Sequence, residues 1–121
     1  MLKGRTALVT GLAQGIGLAI AQALARAGAE LVLHGIEPQQ RGDTTAADLV
    51  ASAGVRAAYV RADLARADDA APLVAAAARA LTAPDILVNN AGVEHTCPIE
   101  SLPADRWEAI VAIPCRPRFT R

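Results

Sequence analysis

Aromatic side chains are almost missing from this chain: Tyr59, Trp107 and Phe119 are the whole set among 121 residues. A core filled by large rings is excluded. The 53% of residues that are hydrophobic are dominated by alanine, so the interior has to come from strands and helices that approach one another closely. Net charge is missing too. Lys and Arg number 12, and so do Asp and Glu, which leaves no broad field to draw in nucleic acid or an anionic lipid surface. Neither kind of partner is expected. Cysteine is confined to Cys97 and Cys115, whose separation fits neither a CxxC pair nor the framework of a secreted disulfide domain. No metal site is expected, and the compartment these thiols suit is the reducing cytoplasm. Long apolar runs are absent as well, none approaching the roughly 20 residues of a membrane-crossing helix. Met1-Leu2-Lys3-Gly4-Arg5 leads straight into a strand instead of a signal-peptide core. With no internal repeat and no Ser/Gly linker, one soluble domain is the ceiling at this length.

What is present is an alternation of short apolar runs with longer Ala-rich stretches of helical period, the pattern of a parallel sheet covered on both faces. Strands are predicted over 6–10, 31–33, 57–60 and 86–89. After the first, Ile16, Ile20 and Leu24 recur every four residues and give the following helix an apolar stripe, which Gly28 ends. A second helix is predicted over about 44–53, closed by Gly54, and a third over about 67–81 with Pro72 tolerated in its early part. Pro103 opens a fourth over 104–113 with Trp107, Ile110 and Val111 facing inward. Pro114 and Pro117 end it, each costing a helix interior roughly 3 kcal/mol.

The first strand runs directly into Gly11-Leu12-Ala13-Gln14-Gly15-Ile16-Gly17 and then a helix. Exposed amides and the positive helix end converge there, which suits a pyrophosphate. Gly11 permits the sharp turn, Gly15 lets the backbone approach the phosphates without a Cβ, and Gly17 allows helix to pack closely on strand. The spacing differs from G-x-G-x-x-G, and no acid stands at the end of the second strand where that fingerprint places one. Glycines that serve only as turn and packing residues remain the alternative.

Thr10-Gly11-x-x-x-Gly15-x-Gly17 after a first strand resembles the cofactor signature of the short-chain dehydrogenase/reductase family. Asp63-Leu64 after the third strand and Asn89-Asn90-Ala91-Gly92 after the fourth agree with it, so the resemblance covers residues about 1–113. It implies a Rossmann-type, doubly wound parallel α/β sheet of strand order 3-2-1-4, here the N-terminal half without its later strands. It also implies a nicotinamide dinucleotide held by Gly11, Gln14, Gly15, Ile16, Gly17, Asp63, Leu64, Asn90, Ala91 and Gly92, with Asp63 on the adenine ring. From the residues alone, Asp63 equally suits an N-cap on the third helix. Asn90, Ala91 and Gly92 sit at the carboxyl end of a strand beside the first, in the crevice where open α/β sheets bind ligands.

The second strand ends His34-Gly35-Ile36-Glu37 with no Lys or Arg placed as a phosphate clamp, although Arg41 could fold back. NAD is therefore expected in preference to NADP. The first ten residues and the stretch from Asn89 to Ile113 are similar to the 3-hydroxybutyrate dehydrogenase branch, which implies a small hydroxy or keto substrate and homo-oligomeric relatives. Position 94 departs from that branch: Glu94 stands where a neutral Gln donates to the substrate carboxylate. Two facing carboxylates repel, so Glu94 is protonated, points away, or meets a different substrate. His95 and Cys97 are read as a plain hydrogen-bonding residue and a small apolar one.

The family transfers hydride with a Tyr-x-x-x-Lys pair, a Ser, and an Asn from the helix after N-N-A-G. Tyr59, the sole tyrosine, has Asp63 four residues on, Lys3 is the sole lysine, and Pro114 stands where the Asn is expected. No catalytic residue is assigned, and the chain alone is expected to be inactive. Its unpaired sheet is expected to expose an apolar edge, and the purified chain to be aggregated or molten. Residues 114–121 resemble nothing in the family. A branch-like continuation, Leu-Ser-Ser-Ala-Phe-His-Thr, can be encoded as CTG TCG TCC GCG TTT CAC ACG. Shifted by one base and followed by CGC, it reads Cys-Arg-Pro-Arg-Phe-Thr-Arg, the observed ending, so with these synonymous codons the ending is compatible with a frameshift in the coding DNA; a natural basic tail is the alternative. A non-catalytic nucleotide-binding or interaction module is the competing functional expectation.

Overall fold

The computed structural model describes residues 1–12, 15–64, 66, 72–91 and 104–105. Among these the elements run β1 (Thr6–Val9), α1 (Gly15–Arg26), β2 (Glu30–Gly35), α2 (Gln39–Ala53), β3 (Ala57–Arg61), α3 (Leu73–Ala80) and β4 (Ile86–Val88). The four strands make one parallel sheet in the order β3-β2-β1-β4, as the resemblance implied. Chain order therefore reverses at β1.

Alternation along the strands divides the core in two. Ala7, Val9, Leu31 and Leu33 pack with Ala21 and Ala25 of α1 and Leu49 of α2. Leu8 and Val32 face the opposite way, toward Leu64 and toward Leu73 and Ala77 of α3. Burial on both faces is why β1 and β2 read as continuous apolar runs. Truncating Leu8 or Leu33, both 0% exposed, would cost about 2–5 kcal/mol.

The buried stripe of α1 is not the predicted one. Gly17, Ala21 and Ala25 face the core, whereas Ile16 is 69% exposed and Ile20 and Leu24 are half-buried. The helix is turned one residue onward so that its smallest side chains meet the sheet, and Leu18 and Leu24 pack at the flanks. Helix α2 begins at Gln39 instead of about 44. Pro38 presets its start with φ −51°, and the Gln39 side chain donates to Asp43 Oδ1 at 2.8 Å and to the Tyr59 carbonyl at 3.0 Å. Its C-cap is Gly54 at φ 72°, with the Gly54 N–H on the Val50 carbonyl.

Strand β2 is longer than predicted, because Glu30 N–H donates to the Arg5 carbonyl and Ala62 N–H to the Gly35 carbonyl, extending the ladder at both ends. β1 and β4 each stop one residue short, at Val9 and Val88. Pro72 is the N-cap of α3 and not an early interior residue, since a helix start tolerates a missing N–H that an interior does not. Residues 67–71, the earlier part of that predicted helix, lie outside the described residues, as do 106–113 of the fourth; Ala104 and Asp105 are helical. The entry to β4 is tied to the start of β1: Asp85 Oδ2 accepts from Thr6 N–H at 3.0 Å, Asp85 N–H donates to the Thr6 carbonyl at 2.8 Å, and the Thr6 and Thr82 hydroxyls are 2.7 Å apart. Among the described residues the other edge of β4 is unpaired, Leu87 is 42% exposed, and no helix is long and apolar enough to cross a membrane.

Candidate functional site

The strand order reverses between β1 and β4, the position at which open α/β sheets form their ligand crevice. Thr10, 0% exposed, fixes its floor. The Thr10 hydroxyl donates to the Val88 carbonyl at 3.3 Å and accepts from the Asn90 and Ala91 amides, both at 3.0 Å. Asn90 Nδ2 in turn donates to the Gly11 carbonyl at 3.1 Å. A valine in place of Thr10 would fill the same space and take this acceptor from the Ala91 amide, at about 1–3 kcal/mol if that amide stayed dry, while the Asn90 amide keeps the Val88 carbonyl at 3.1 Å.

Gly11 has φ +77°, and a Cβ on it would lie 2.7 Å from Ala91 Cα and 2.8 Å from Ala91 N. Both its turn and its closeness to the β4 loop demand glycine. A Cβ on Gly17 would lie 2.6 Å from the Gly11 carbonyl oxygen and 2.7 Å from Asn90 Nδ2. Gly17 thus makes room for the turn and for Asn90, a tighter requirement than the helix-on-strand contact predicted for it. Among the described residues nothing stands within 4 Å of a Cβ built on Gly15. That opening lies before the first turn of α1, whose leading amides have no partner within the helix and are available to an anion. Ile16 projects from the same turn, largely exposed.

The sequence named Thr10 only as the first residue of the signature and His34 only as part of the end of the second strand, with no role for either, and both organise the turn. His34 is 2% exposed. Its Nδ1 accepts from the Gly11 amide at 3.2 Å, its Nε2 lies 2.7 Å from the Ala62 carbonyl oxygen, and its own carbonyl accepts from Leu12 N–H at 2.8 Å. Burial pushes the imidazole below its ordinary value of 6.5, against the opposing influence of the Ala62 hydrogen bond and of Asp63. A signal existed: a histidine inside an apolar strand is costly unless both ring nitrogens find partners.

Beyond Ala62, Asp63 is half-buried and its carbonyl accepts from Arg66 N–H at 3.0 Å. Leu64 is 2% exposed, with its side chain in the core cluster beneath. An N-cap role for Asp63 rests on residues 65 and 67–71, outside the described residues. Gln14, Gly92 and Glu94 lie outside them too, as do His95, Cys97 and 114–121.

At the end of β2, Arg41 does fold back: its Nη1 is 3.7 Å from Glu37 Oε2. With Leu12, Leu18, Gly42 and Thr45 the pair lines a cleft of about 220 Å³ beside the glycine turn. The Tyr59 hydroxyl donates to the Glu37 carbonyl at 2.8 Å, and burial pushes the phenol above its ordinary 10.0. This tyrosine supports the β2–α2 connection and stands in β3, with two strands between it and β4.

Comparison with known proteins agrees with this geometry. The chain is 44% identical over 116 residues to a D-beta-hydroxybutyrate dehydrogenase of Cupriavidus necator, covering 93% of this chain and 43% of that protein. A D-beta-hydroxybutyrate dehydrogenase of Rhizobium meliloti is 37% identical, with 90% of this chain and 42% of that protein covered. Among solved structures, L-sorbose reductase of Gluconobacter frateurii, complexed with NADPH and L-sorbose, superposes with a TM-score of 0.87 at 31% identity, covering 96% of this chain and 44% of that one. The chain therefore spans less than half the length of the relatives it matches. The family model for short chain dehydrogenases matches residues 5–120, and the chain belongs to that family.

Proposed function

We propose that this chain supplies the dinucleotide-binding half of an NAD-dependent short-chain dehydrogenase acting on a small hydroxy or keto substrate, with 3-hydroxybutyrate as the leading candidate. The observation that carries the reading is the packing of Gly11, at φ +77°, against the Asn90–Ala91 backbone. That contact brings the phosphate turn and the β4 loop to one crevice. In this reading the pyrophosphate lies against Gly15, Ile16 and Gly17, with Gln14 beside it, while Gly11 shapes the turn. Asn90, Ala91 and Gly92 meet the ribose, and Asp63 meets the adenine ring, with Leu64 anchoring its loop in the core. Bound there, the dinucleotide would supply the hydride-transfer chemistry; the chain's own residues bind and orient it. Glu94 is the candidate contact on the substrate side.

The preference for NAD is supported by the Glu37–Arg41 pair. Glu37 offers an acceptor for ribose hydroxyls, and Arg41 is partly neutralised before it can meet a ribose phosphate. L-sorbose reductase was complexed with NADPH, and the reading of NAD for this chain rests on Glu37 and Arg41 alone. Catalysis by these residues alone is not part of the proposal. Tyr59 is engaged with the Glu37 carbonyl, and Lys3 lies ahead of β1, so the two do not form a proton-transfer pair. A binding module without turnover remains the second reading.

Melting the purified chain with and without dinucleotide tests the proposal. A ligand held only by the folded state raises the midpoint by mass action, by about 2.7 kcal/mol at a hundredfold excess over Kd. Where the chain melts cooperatively, against the expectation of an aggregated or molten chain, NADH should raise the midpoint more than NADPH. A cooperatively melting chain that neither dinucleotide shifts, or an aggregated or molten one, counts against binding by this chain.

A further inference from the structure

Gly11 can only donate through its amide, so the His34 Nδ1 facing it at 3.2 Å must accept, and the ring proton must sit on Nε2, which then donates to the Ala62 carbonyl at 2.7 Å. One neutral tautomer satisfies both bonds. The same residue's carbonyl holds Leu12 N–H at 2.8 Å, so His34 grips two successive amides of the glycine turn from the end of β2. Ala62 leads directly into Asp63, and Ala62 N–H is bound to the Gly35 carbonyl at 3.1 Å. The turn and the loop carrying Asp63 are thereby fastened to one ring.

We propose that His34 is a positioning residue for the dinucleotide site, whose neutral Nε2–H tautomer sets the phosphate turn and the Asp63 loop together and whose protonation releases the turn. This rests on the dinucleotide reading above for its consequence, and on the hydrogen bonds alone for its mechanism. A proton on Nδ1 would confront the Gly11 N–H donor to donor, and at 2% exposure the ring is shut off from the solvent that could take up the lost bond. The turn would have to move for the proton to stay. The charged group acting on the ring among the described residues is Asp63, which favours the protonated form. Thr10, Gly11 and Leu12, which face it from β1 and the turn, carry no titratable side chain. Arg61, on the β3 side, directs its Nε to the Ile36 carbonyl at 3.2 Å.

The test follows the Gly11 amide and the His34 ring nitrogens of the labelled full chain by NMR from about pH 8 to about pH 5.5, alongside NAD titrations at each pH. Two variants accompany it. In His34→Asn, Oδ1 takes the place of Nδ1 and accepts from Gly11 without titrating; in His34→Leu, the acceptor is lost. The expected result is a protected Gly11 amide at the alkaline end whose shift moves with the ring's titration, and NAD affinity falling at least threefold toward the acid end. His34→Asn should keep its own alkaline-end NAD affinity across the range, while His34→Leu, which lacks the Gly11 acceptor, should be weaker than His34→Asn throughout. A Gly11 amide that titrates in a chain binding no NAD at any pH leaves the latch standing and removes the dinucleotide reading. A Gly11 amide unprotected at neutral pH, or insensitive to the ring's titration, overturns the proposal, as does NAD binding with the same pH profile in parent and His34→Asn.

Discussion

Single residues at this site act mainly by what they allow the backbone to do. Gly11→Ala places a Cβ against Ala91 at a backbone angle that costs an L-residue roughly 1–2 kcal/mol before any clash. Its expected effect is a melting midpoint below the parent's and at least a tenfold loss of NADH affinity by titration calorimetry; an unchanged affinity would remove the turn from the site. His34 makes stability depend on pH as well as binding. Its folded-state pKa lies below 6.5, so as pH falls through 6.5 the unfolded chain takes up the proton first and the folded state loses ground. The loss stops once the folded imidazole is protonated too. Denaturation followed between about pH 7 and pH 5 should show this decline in the parent and a shallower one in His34→Asn; parallel profiles would contradict it. The glycines were legible in the sequence because backbone conformation restricts residue type so strongly. Thr10 and His34 were not, because the partners that give them meaning, Asn90, Ala91 and Ala62, are distant in sequence and meet them only once the sheet is assembled.

Among the elements, the sequence pattern located every described strand and helix, and missed where side-chain size decides packing. Ile16, Ile20 and Leu24 form the more apolar stripe of α1, yet Gly17, Ala21 and Ala25 face the sheet, because hydrophobicity alone takes no account of how near a helix must come. Helix α2 obeys the same rule. A Cβ on Gly42 would collide with Cδ2, Cγ and Cε2 of the Tyr59 ring, so Gly42→Ala should destabilise by about 1–3 kcal/mol from overpacking, even though alanine favours a helix interior by roughly 1 kcal/mol. Thermal melts of Gly42→Ala, with and without Tyr59→Leu to empty the ring position, check this. Recovery in the double variant supports the account, and a more stable Gly42→Ala refutes it. Boundaries shifted for local reasons, Pro38 starting α2 early and Pro72 standing at the start of α3.

For the whole molecule, the order β3-β2-β1-β4 puts the reversal of the sheet between β1 and β4, within the chain, although the chain spans only 43% of its hydroxybutyrate dehydrogenase relative. The central claim is that the glycine turn and the β4 loop together hold a dinucleotide. Titrating NADH into the isotope-labelled chain and following its backbone amides tests that claim most directly. The account predicts saturable shifts at Gly15, Ile16, Gly17, Asn90 and Ala91, with none at Gln22, Arg26 and Ser52 around the remote hollow between α1 and α2. A folded chain whose turn and β4-loop amides stay still as NADH is added, or move no more than those remote residues, would contradict it.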